Sequence, residues 1–306
     1  LTSLAVCIVS FRDPALIAHC LDAVAQSTFE AFEVVICENG GPDARQRLRD
    51  TLPSTLAGGQ AVTLLRQEEN LGYAGGVNAC MAARSDVDGW WILNPDTRPD
   101  PGALQALVDR LDLGDCDAVG GVLYHPDGRV QAYGGHWNPW LARASSIGLG
   151  EPLTTRIEPR RVEARMNYLL GACMLVGRRF LEATGPMRDD YFLYAEEVEW
   201  CLRARSRGLR LGFAPDARIC HGQGGTTGSA ADIHQRPLLP IYLDERNKLH
   251  VVRDTTPARL AVAIPFALLL TWARFGRRRA KRQWKDAMAG WWAGVCNERG
   301  MPRWLS

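Results

Sequence analysis

From Ala5 to about Gly121, short apolar runs alternate with amphipathic stretches. Ala5–Ser10, Glu33–Glu38, Val62–Leu65, Trp90–Leu93 and Ala118–Gly121 read as strands, and Pro14–Ala25, Asp43–Leu52, Gly75–Ala83 and Pro101–Leu111 carry helical spacing between them. Continuous apolar strands alternating with helices predict a mostly parallel sheet flanked by helices on both faces, an α/β fold. Ligands of such sheets bind at the carboxyl ends of the strands. Those ends are Ser10–Phe11, Glu38–Asn39 and Asn94–Pro95–Asp96.

The rhythm loosens after Gly121, and residues 136–165, rich in Trp, Pro, Gly and Arg, read as a long functional loop region. A strand over Leu169–Val176, a short helix over Arg178–Ala183 and a helix in the second half of Tyr191–Arg203 follow, then a strand over Arg210–Ala214 leading to His221. From about Pro237 the chain changes character. Leu260–Ala273 is free of charge, is interrupted by Pro265, and precedes Arg274, Arg277, Arg278, Arg279, Lys281 and Arg282. Fourteen residues fall short of the roughly 20 that span a bilayer, so an interfacial helix with a basic collar is expected, on an anionic membrane surface or against a second subunit in a homo-oligomer. The expected organisation is a catalytic domain over 1–236, divided into a nucleotide half (1–121) and an acceptor half (122–236), followed by a helical region over 237–306.

Composition narrows the class. With 46% hydrophobic and 23% charged residues in 306, the chain is neither disordered nor fibrous, and a net charge of +2 gives no polyanion footprint, so no nucleic-acid partner is expected. Nine scattered cysteines without a CxxC pair read as reduced, buried thiols. The first residues carry no basic leader and run directly into a strand, which points to the cytoplasmic side of a membrane.

Four segments could carry chemistry. Asn70, Gly72, Tyr73, Gly75, Gly76 and Asn78 crowd the entry to a helix, where small residues let a phosphate-bearing ligand approach backbone amides; a tight, well-packed turn is the alternative. Asn94-Pro95-Asp96 follows a very apolar strand, so Asp96 emerges where a carboxylate can hold Mg²⁺ or Mn²⁺ against a diphosphate, or where it simply builds a turn. Glu196, Glu197 and Glu199 cluster at a helix start behind aromatic residues, fit for a general base or only for the helix dipole. His221 could complete a metal site or be structural.

Taken together and in order, Asn70–Asn78, Asn94–Thr97, Gly171–Val176, Tyr191–Arg203 and Pro215–His221 closely resemble glycosyltransferase family 2, and within it the bacterial rhamnosyltransferase-like branch, from about Leu4 to Asn247. The resemblance implies a GT-A fold, a divalent metal, and inverting transfer of a sugar from a nucleoside diphosphate to a glycan or polyprenyl-linked acceptor in cell-envelope polysaccharide synthesis. Ser10 and Phe11 would line the nucleoside pocket and Glu38 would meet the pyrimidine edge. Asn94 and Asp96 stand at the family's Asp-x-Asp motif, with Asn in place of the first acid, and His221 stands at its later metal-associated histidine. Glu196–Glu197 stand at its Glu-Asp pair, whose second member is the base. Tyr191, Tyr194 and Trp200 would form the water-excluding acceptor pocket. The branch implies dTDP-rhamnose as donor, with UDP-hexoses or UDP-galactofuranose as alternatives, and a peripheral location on the inner face of the plasma membrane. A nucleotidyltransferase would require a glycine-rich loop after the first strand, where Ser10-Phe11-Arg12 stands instead. An inactive carbohydrate-binding module does not fit the joint retention of Asp96, Glu197 and His221.

Overall fold

The computed structural model describes residues 1–222 and 233–305; the run Gln223–Gly225 after His221 lies outside them. The first half runs β1 (Leu4–Ser10), α1 (Pro14–Val24), β2 (Phe32–Glu38), α2 (Pro42–Thr51), β3 (Val62–Leu64), α3 (Gly72–Ala83), β4 (Gly89–Leu93), β5 (Thr97–Pro99), α4 (Ala103–Asp112) and β6 (Ala118–Tyr124). Then come β7 (Val130–Ala132), β8 (Gly134–Asn138), β9 (Arg143–Ile147), α5 (Pro159–Arg165), β10 (Cys173–Gly177), α6 (Arg178–Thr184), α7 (Glu196–Ser206) and β11 (Leu211–His221). Three helices follow: α8 (Leu238–Thr255), α9 (Leu260–Thr271) and α10 (Lys281–Val295).

The main sheet has the order β3-β2-β1-β4-β10-β6-β11-β5, with β7 beside β6. The β3-β2-β1-β4 strip is parallel, as the alternation of strands and helices implies. Beyond it the sheet is mixed: β10 enters antiparallel between β4 and β6, and β5 lies antiparallel to β11. All seven residues of β1 are buried, because alternate side chains enter opposite cores. Ala5, Cys7 and Val9 enter a core shared with residues of α3, α7 and α8, while Leu4, Val6 and Ile8 enter one shared with residues of α1 and α4. Helix starts follow local chemistry. Asp13 caps α1 by accepting the Leu16 N–H at 3.2 Å, ahead of Pro14 in the first turn.

Residues 136–165 are not the long loop their composition suggests. β8 and β9 form a hairpin there and α5 closes the segment. The first four residues of β9 are all exposed, so no apolar alternation betrays the strand. All nine cysteines are free thiols, buried except Cys220 and Cys296. Burial pushes those of Cys20, Cys37 and Cys173 up to about 12.

The C-terminal helices pack onto the sheet domain. Leu249, Val251 and Val252 of α8 and Ala263 and Ala267 of α9 join the same core as β1 and α3. α10 crosses α8 at Gly290 and Gly294, where a Cβ would collide with the Tyr242 carbonyl or lie 2.7 Å from that of Arg246. Pro257–Gly276 makes a helical stretch of 20 residues, with mean hydropathy 1.5 over its most apolar 18, longer than the uncharged run alone implies and long enough to cross a membrane by length and composition. It lies along its neighbours instead of standing free. Ala263, Ala267 and Thr271, spaced by four, are its buried seam, and the Trp291 indole donates to the Ile264 carbonyl.

Candidate active site

The Asn94–Asp96 segment is shaped by a turn and a strand pairing. After β4, Thr97 donates to the Asn94 carbonyl through its N–H (3.2 Å) and its hydroxyl (2.6 Å), closing Asn94-Pro95-Asp96-Thr97 into a turn. β5 then pairs with the end of β11, Thr97 opposite His221. Asp96 is thereby set beside His221, with Oδ1 3.2 Å from Nε2 and both side chains only partly exposed, at 17% and 14%. On the far side of the ring, His221 Nδ1 lies 2.7 Å from Gln131 Oε1. With Nδ1–H donating to that oxygen, the Nε2 lone pair faces a carboxylate, and two acceptors at hydrogen-bond distance call for a proton or a cation between them. Asn94 Oδ1 and Ser10 Oγ are buried at the neighbouring strand ends with no hydrogen-bond partner among the described residues. Hard oxygen donors and one imidazole are a set that suits Mg²⁺ or Mn²⁺. Asp96 and His221 are the two candidate ligands brought together; among the described residues no third His, Cys, Asp or Glu joins them.

The rim is organised by Glu38. Its buried carboxylate accepts the N–H groups of Arg12 (2.9 Å) and Gly40 (2.6 Å), tying the loops after β1 and β2 together. Phe11, 36% exposed, stands at that rim with the Arg12 guanidinium 4.9 Å from its ring centre.

The glycine-rich segment packs instead of cradling phosphate. Gly72, Gly75 and Gly76 are buried. A Cβ at Gly72, whose φ is +69°, would collide with the Phe192 carbonyl, and one at Gly75 or Gly76 would lie 2.8 Å from Leu71 or Val9. The first amides of α3 are already taken: Gly72 N–H by Asn70 Oδ1 (2.9 Å) and Tyr73 N–H by the Phe192 carbonyl (2.6 Å). Asn78 exchanges two hydrogen bonds with the Met187 backbone, at 2.8 and 3.0 Å. These residues brace the loop before α7, the packing alternative that the sequence reading set beside phosphate binding.

Glu196 and Glu197 begin α7 behind a loop of unusual backbone. Phe192 (φ 67°), Tyr194 (φ 74°) and Ala195 (φ 69°) are all left-handed without being glycine, a conformation that costs on the order of 1 kcal/mol or more per residue. Glu196 is 2% exposed, its Oε2 has no hydrogen-bond partner among the described residues, and burial, then the charge of Glu197, holds its carboxyl well above the usual range. Glu197 is partly exposed. Burial pushes its carboxyl up to about 7 against the N–H groups of Glu197, Val198 and Ala195, with the charge of Asp244 adding to the rise.

One side chain and two backbone residues join the halves. The Tyr73 hydroxyl donates to the Gly171 carbonyl at 2.7 Å. Its ionisation is suppressed first by burial and then by the charges of Glu196, Glu197 and Asp96, so all three carboxyls lie within electrostatic reach of its hydroxyl. A Cβ on Gly171 would rest 3.6–3.7 Å from the Glu197 side chain, and the Ala172 carbonyl accepts the Asn94 N–H at 3.1 Å. Residues 171–172 therefore separate the paired acids from the metal motif.

The sequence profile described as "Glycosyl transferase family 2" matches residues 5–185, more than half of the chain. The chain belongs to glycosyl transferase family 2. It is 27% identical over 227 residues, 68% of its length and 72% of the relative's, to a Mycobacterium tuberculosis protein named N-acetylglucosaminyl-diphospho-decaprenol L-rhamnosyltransferase. Its fold matches a Pyrobaculum calidifontis mannosyltransferase solved with GDP-Man and Mn²⁺, at TM-score 0.57 and 16% identity over 96% of this chain and 87% of that one. It also matches S. aureus TarS 1-349 solved with UDP-GlcNAc, at TM-score 0.58 and 14% identity over 96% and 81%. The mixed sheet flanked by helices is the GT-A type arrangement.

Within this family 2 glycosyltransferase, Asp96 meets His221 and Glu197 lies against Gly171, but the aromatic trio is not a pocket wall. Tyr191 and Trp200 are fully buried. The Tyr191 hydroxyl donates to Asp254 at 2.8 Å, and the Trp200 indole, edge-on to Phe180, donates to the Gly185 carbonyl at 2.8 Å. Both are core residues and cannot touch an acceptor; Tyr194 alone of the three is partly exposed. Gln131, Gly171 and Asn247 escaped the sequence reading. Gln131 is one polar residue in a short strand, Gly171 is needed for the space it leaves, and Asn247 lies about 50 residues from the loop it touches.

Proposed function

We propose that this glycosyltransferase moves L-rhamnose from dTDP-rhamnose, with inversion, onto a polyprenyl-diphosphate-linked glycan, with Glu197 as general base and Asp96 and His221 as the protein ligands of a divalent metal. The observation that carries this reading is that Glu197 lies against Gly171 while the next residue, Ala172, is bonded to the Asn94 turn that holds Asp96 beside His221, so a candidate base and a candidate metal pair flank the same two backbone residues. A sugar acceptor hydroxyl has to lose a proton while the diphosphate departs with added charge, so a base is needed on one face of the sugar and positive charge on the other. When bound, the metal supplies charge neutralisation at the diphosphate. Glu197, partly exposed and poised near neutral pH, accepts the acceptor proton. Glu196, nearly sealed from solvent, keeps its own proton and so limits negative charge beside the base. Rhamnose and the lipid-linked acceptor rest on the name of the Mycobacterium tuberculosis relative, and Mn²⁺ on the Pyrobaculum calidifontis fold neighbour.

The exposed side of α9 supports a place on the inner face of the plasma membrane. Val262, Phe266, Leu269 and Trp272 form one apolar face, and Arg277, Arg278, Arg279, Lys281 and Arg282 stand exposed beside it. Arg274 is drawn inward to Asp244 at 3.1 Å and contributes less to that collar. Apolar area plus basic residues at about 1 kcal/mol each is the chemistry of an anionic lipid surface.

The deciding experiment incubates the full-length protein and Mn²⁺ with dTDP-rhamnose, UDP-GlcNAc, UDP-galactofuranose or GDP-mannose and a polyprenyl-diphosphate N-acetylglucosamine, reading product by mass spectrometry. Transfer from dTDP-rhamnose alone is expected; transfer only from another donor would replace the sugar assignment and leave the family standing.

A further inference from the structure

The loop that aims Glu197 is held from outside, by the C-terminal helices. Asn247 of α8 is fully buried, and its Nδ2 donates to the carbonyls of Tyr191 (2.9 Å), Leu193 (2.8 Å) and Tyr194 (2.8 Å). The orientation of that amide is fixed, because its Oδ1 accepts from Arg246 Nε at 2.9 Å and a guanidinium can only donate. Arg246 adds a second bond to the Tyr191 carbonyl at 3.0 Å. The remaining carbonyl of the loop, that of Phe192, receives the Tyr73 N–H. Every carbonyl from 191 to 194 is thus tethered by a group outside the loop, in the stretch where Phe192, Tyr194 and Ala195 adopt left-handed backbone angles. Three acceptors converging on one NH₂ group is more than packing requires, and left-handed non-glycine residues in series persist only where surrounding structure over-determines them.

We propose that Asn247 is a positioning residue of the active site: by gathering the Tyr191, Leu193 and Tyr194 carbonyls onto one amide, it holds the left-handed loop that sets the direction of Glu197. The proposal rests on the reading of Glu197 as the base, and it gives the C-terminal helices a part in the chemistry without any contact with substrate. A misplacement of a reacting group by about 1 Å costs on the order of 100-fold in rate. Loss of the clamp acts on kcat, since the Asp96–His221 half of the site is built by β5 and β11 and does not involve α8.

The test compares full-length wild type with Asn247→Asp, which keeps the shape but turns the donor toward three carbonyls into an acceptor. Amide hydrogen exchange of residues 192–199 should accelerate at least about 10-fold while β1 and β4 remain protected. Turnover of dTDP-rhamnose should fall about 100-fold in kcat with KM within about threefold of wild type. Adding Ala195→Gly, which accepts a left-handed backbone without the clamp, should restore about 10-fold of the lost kcat. Unchanged exchange in 192–199, an equal loss in KM and kcat, or no rescue by glycine would overturn the assignment. Should Asn247→Asp not accumulate as folded protein, Asn247→Ser, which leaves one donor and adds no charge, carries the same readouts. If wild type turns over no nucleotide sugar, the catalytic reading fails, and the exchange arm still decides whether Asn247 holds the loop.

Discussion

Replacing Glu197 with Gln keeps the shape of the side chain and removes its ability to take a proton, so it separates catalysis from binding and from folding. Transfer should fall by about 10²–10⁴-fold in kcat, the usual contribution of a general base, with nucleotide affinity retained. Stability should move the other way. In the folded chain the Glu197 carboxyl keeps its proton up to about 7, against an ordinary value of 4.5. Between those two pH values the folded state binds more protons than the unfolded one, so stability declines as pH rises through this window, and the full cost is present above it. The difference corresponds to about 3 kcal/mol, an upper limit because the group is partly exposed. Gln carries none of this cost. The variant should therefore melt up to about 5 °C higher than wild type at pH 8, with the gap closing below pH 4.5. Thermal melts across that range, paired with nucleoside-diphosphate release, read both effects. Wild-type turnover in Glu197→Gln, or a melting difference that ignores pH, would refute the reasoning. A larger loss of turnover in Glu196→Gln than in Glu197→Gln would move the base by one residue.

Asp96→Ala should abolish transfer and Mn²⁺-dependent binding of dTDP by calorimetry while leaving the melting temperature within a few degrees, since the residue stands at a partly exposed strand end; EDTA-treated wild type should behave likewise until cation is returned. Gly72→Ala should destabilise the chain by about 2 kcal/mol or more in urea melts, because φ is +69° and the added carbon meets the Phe192 carbonyl; near-normal stability there would contradict the packing role. Changing Arg277, Arg278 and Arg279 together to Gln should reduce flotation with phosphatidylserine vesicles at low salt by about 10-fold or more at unchanged turnover of soluble donor, and equal flotation would remove the basic collar from membrane binding.

The sequence made the parallel strip legible because β1, β2 and β4 are buried on both faces, and unbroken apolar runs have few other meanings. It also placed Asp96 at a strand end. His221 was legible only as a residue that could complete a metal site or be structural, and the resemblance chose between the two, since the antiparallel return of β11 onto β5 joins residues 125 positions apart with no local signature. The glycines of residues 72–76 misled for a physical reason: a close approach of backbone to backbone and a close approach of phosphate to backbone ask for the same residue. Tyr191 and Trp200 misled in a similar way, because an aromatic ring with a polar tip suits a binding wall and a core position with an internal acceptor equally well. Burial decides between them, and burial depends on α8 and α6, which pattern alone does not dock.

The contacts around residue 300 also bear on the order in which the candidate site is assembled. Arg299 grips Asp254 at 2.8 Å and Asp190 at 3.3 Å, the Gly300 N–H donates to the Asp190 carbonyl at 2.6 Å, and Arg246 reaches the Gly300 carbonyl at 2.7 Å. Asp190 directly precedes the left-handed loop, and Asp254 receives the Tyr191 hydroxyl. During synthesis the amino-terminal strands can form early, as the amino-terminal part of a chain generally does. The loop before Glu197 would gain these anchors only after residues near 300 emerge, so Glu197 would be fixed in place later than the strand end that carries Asp96.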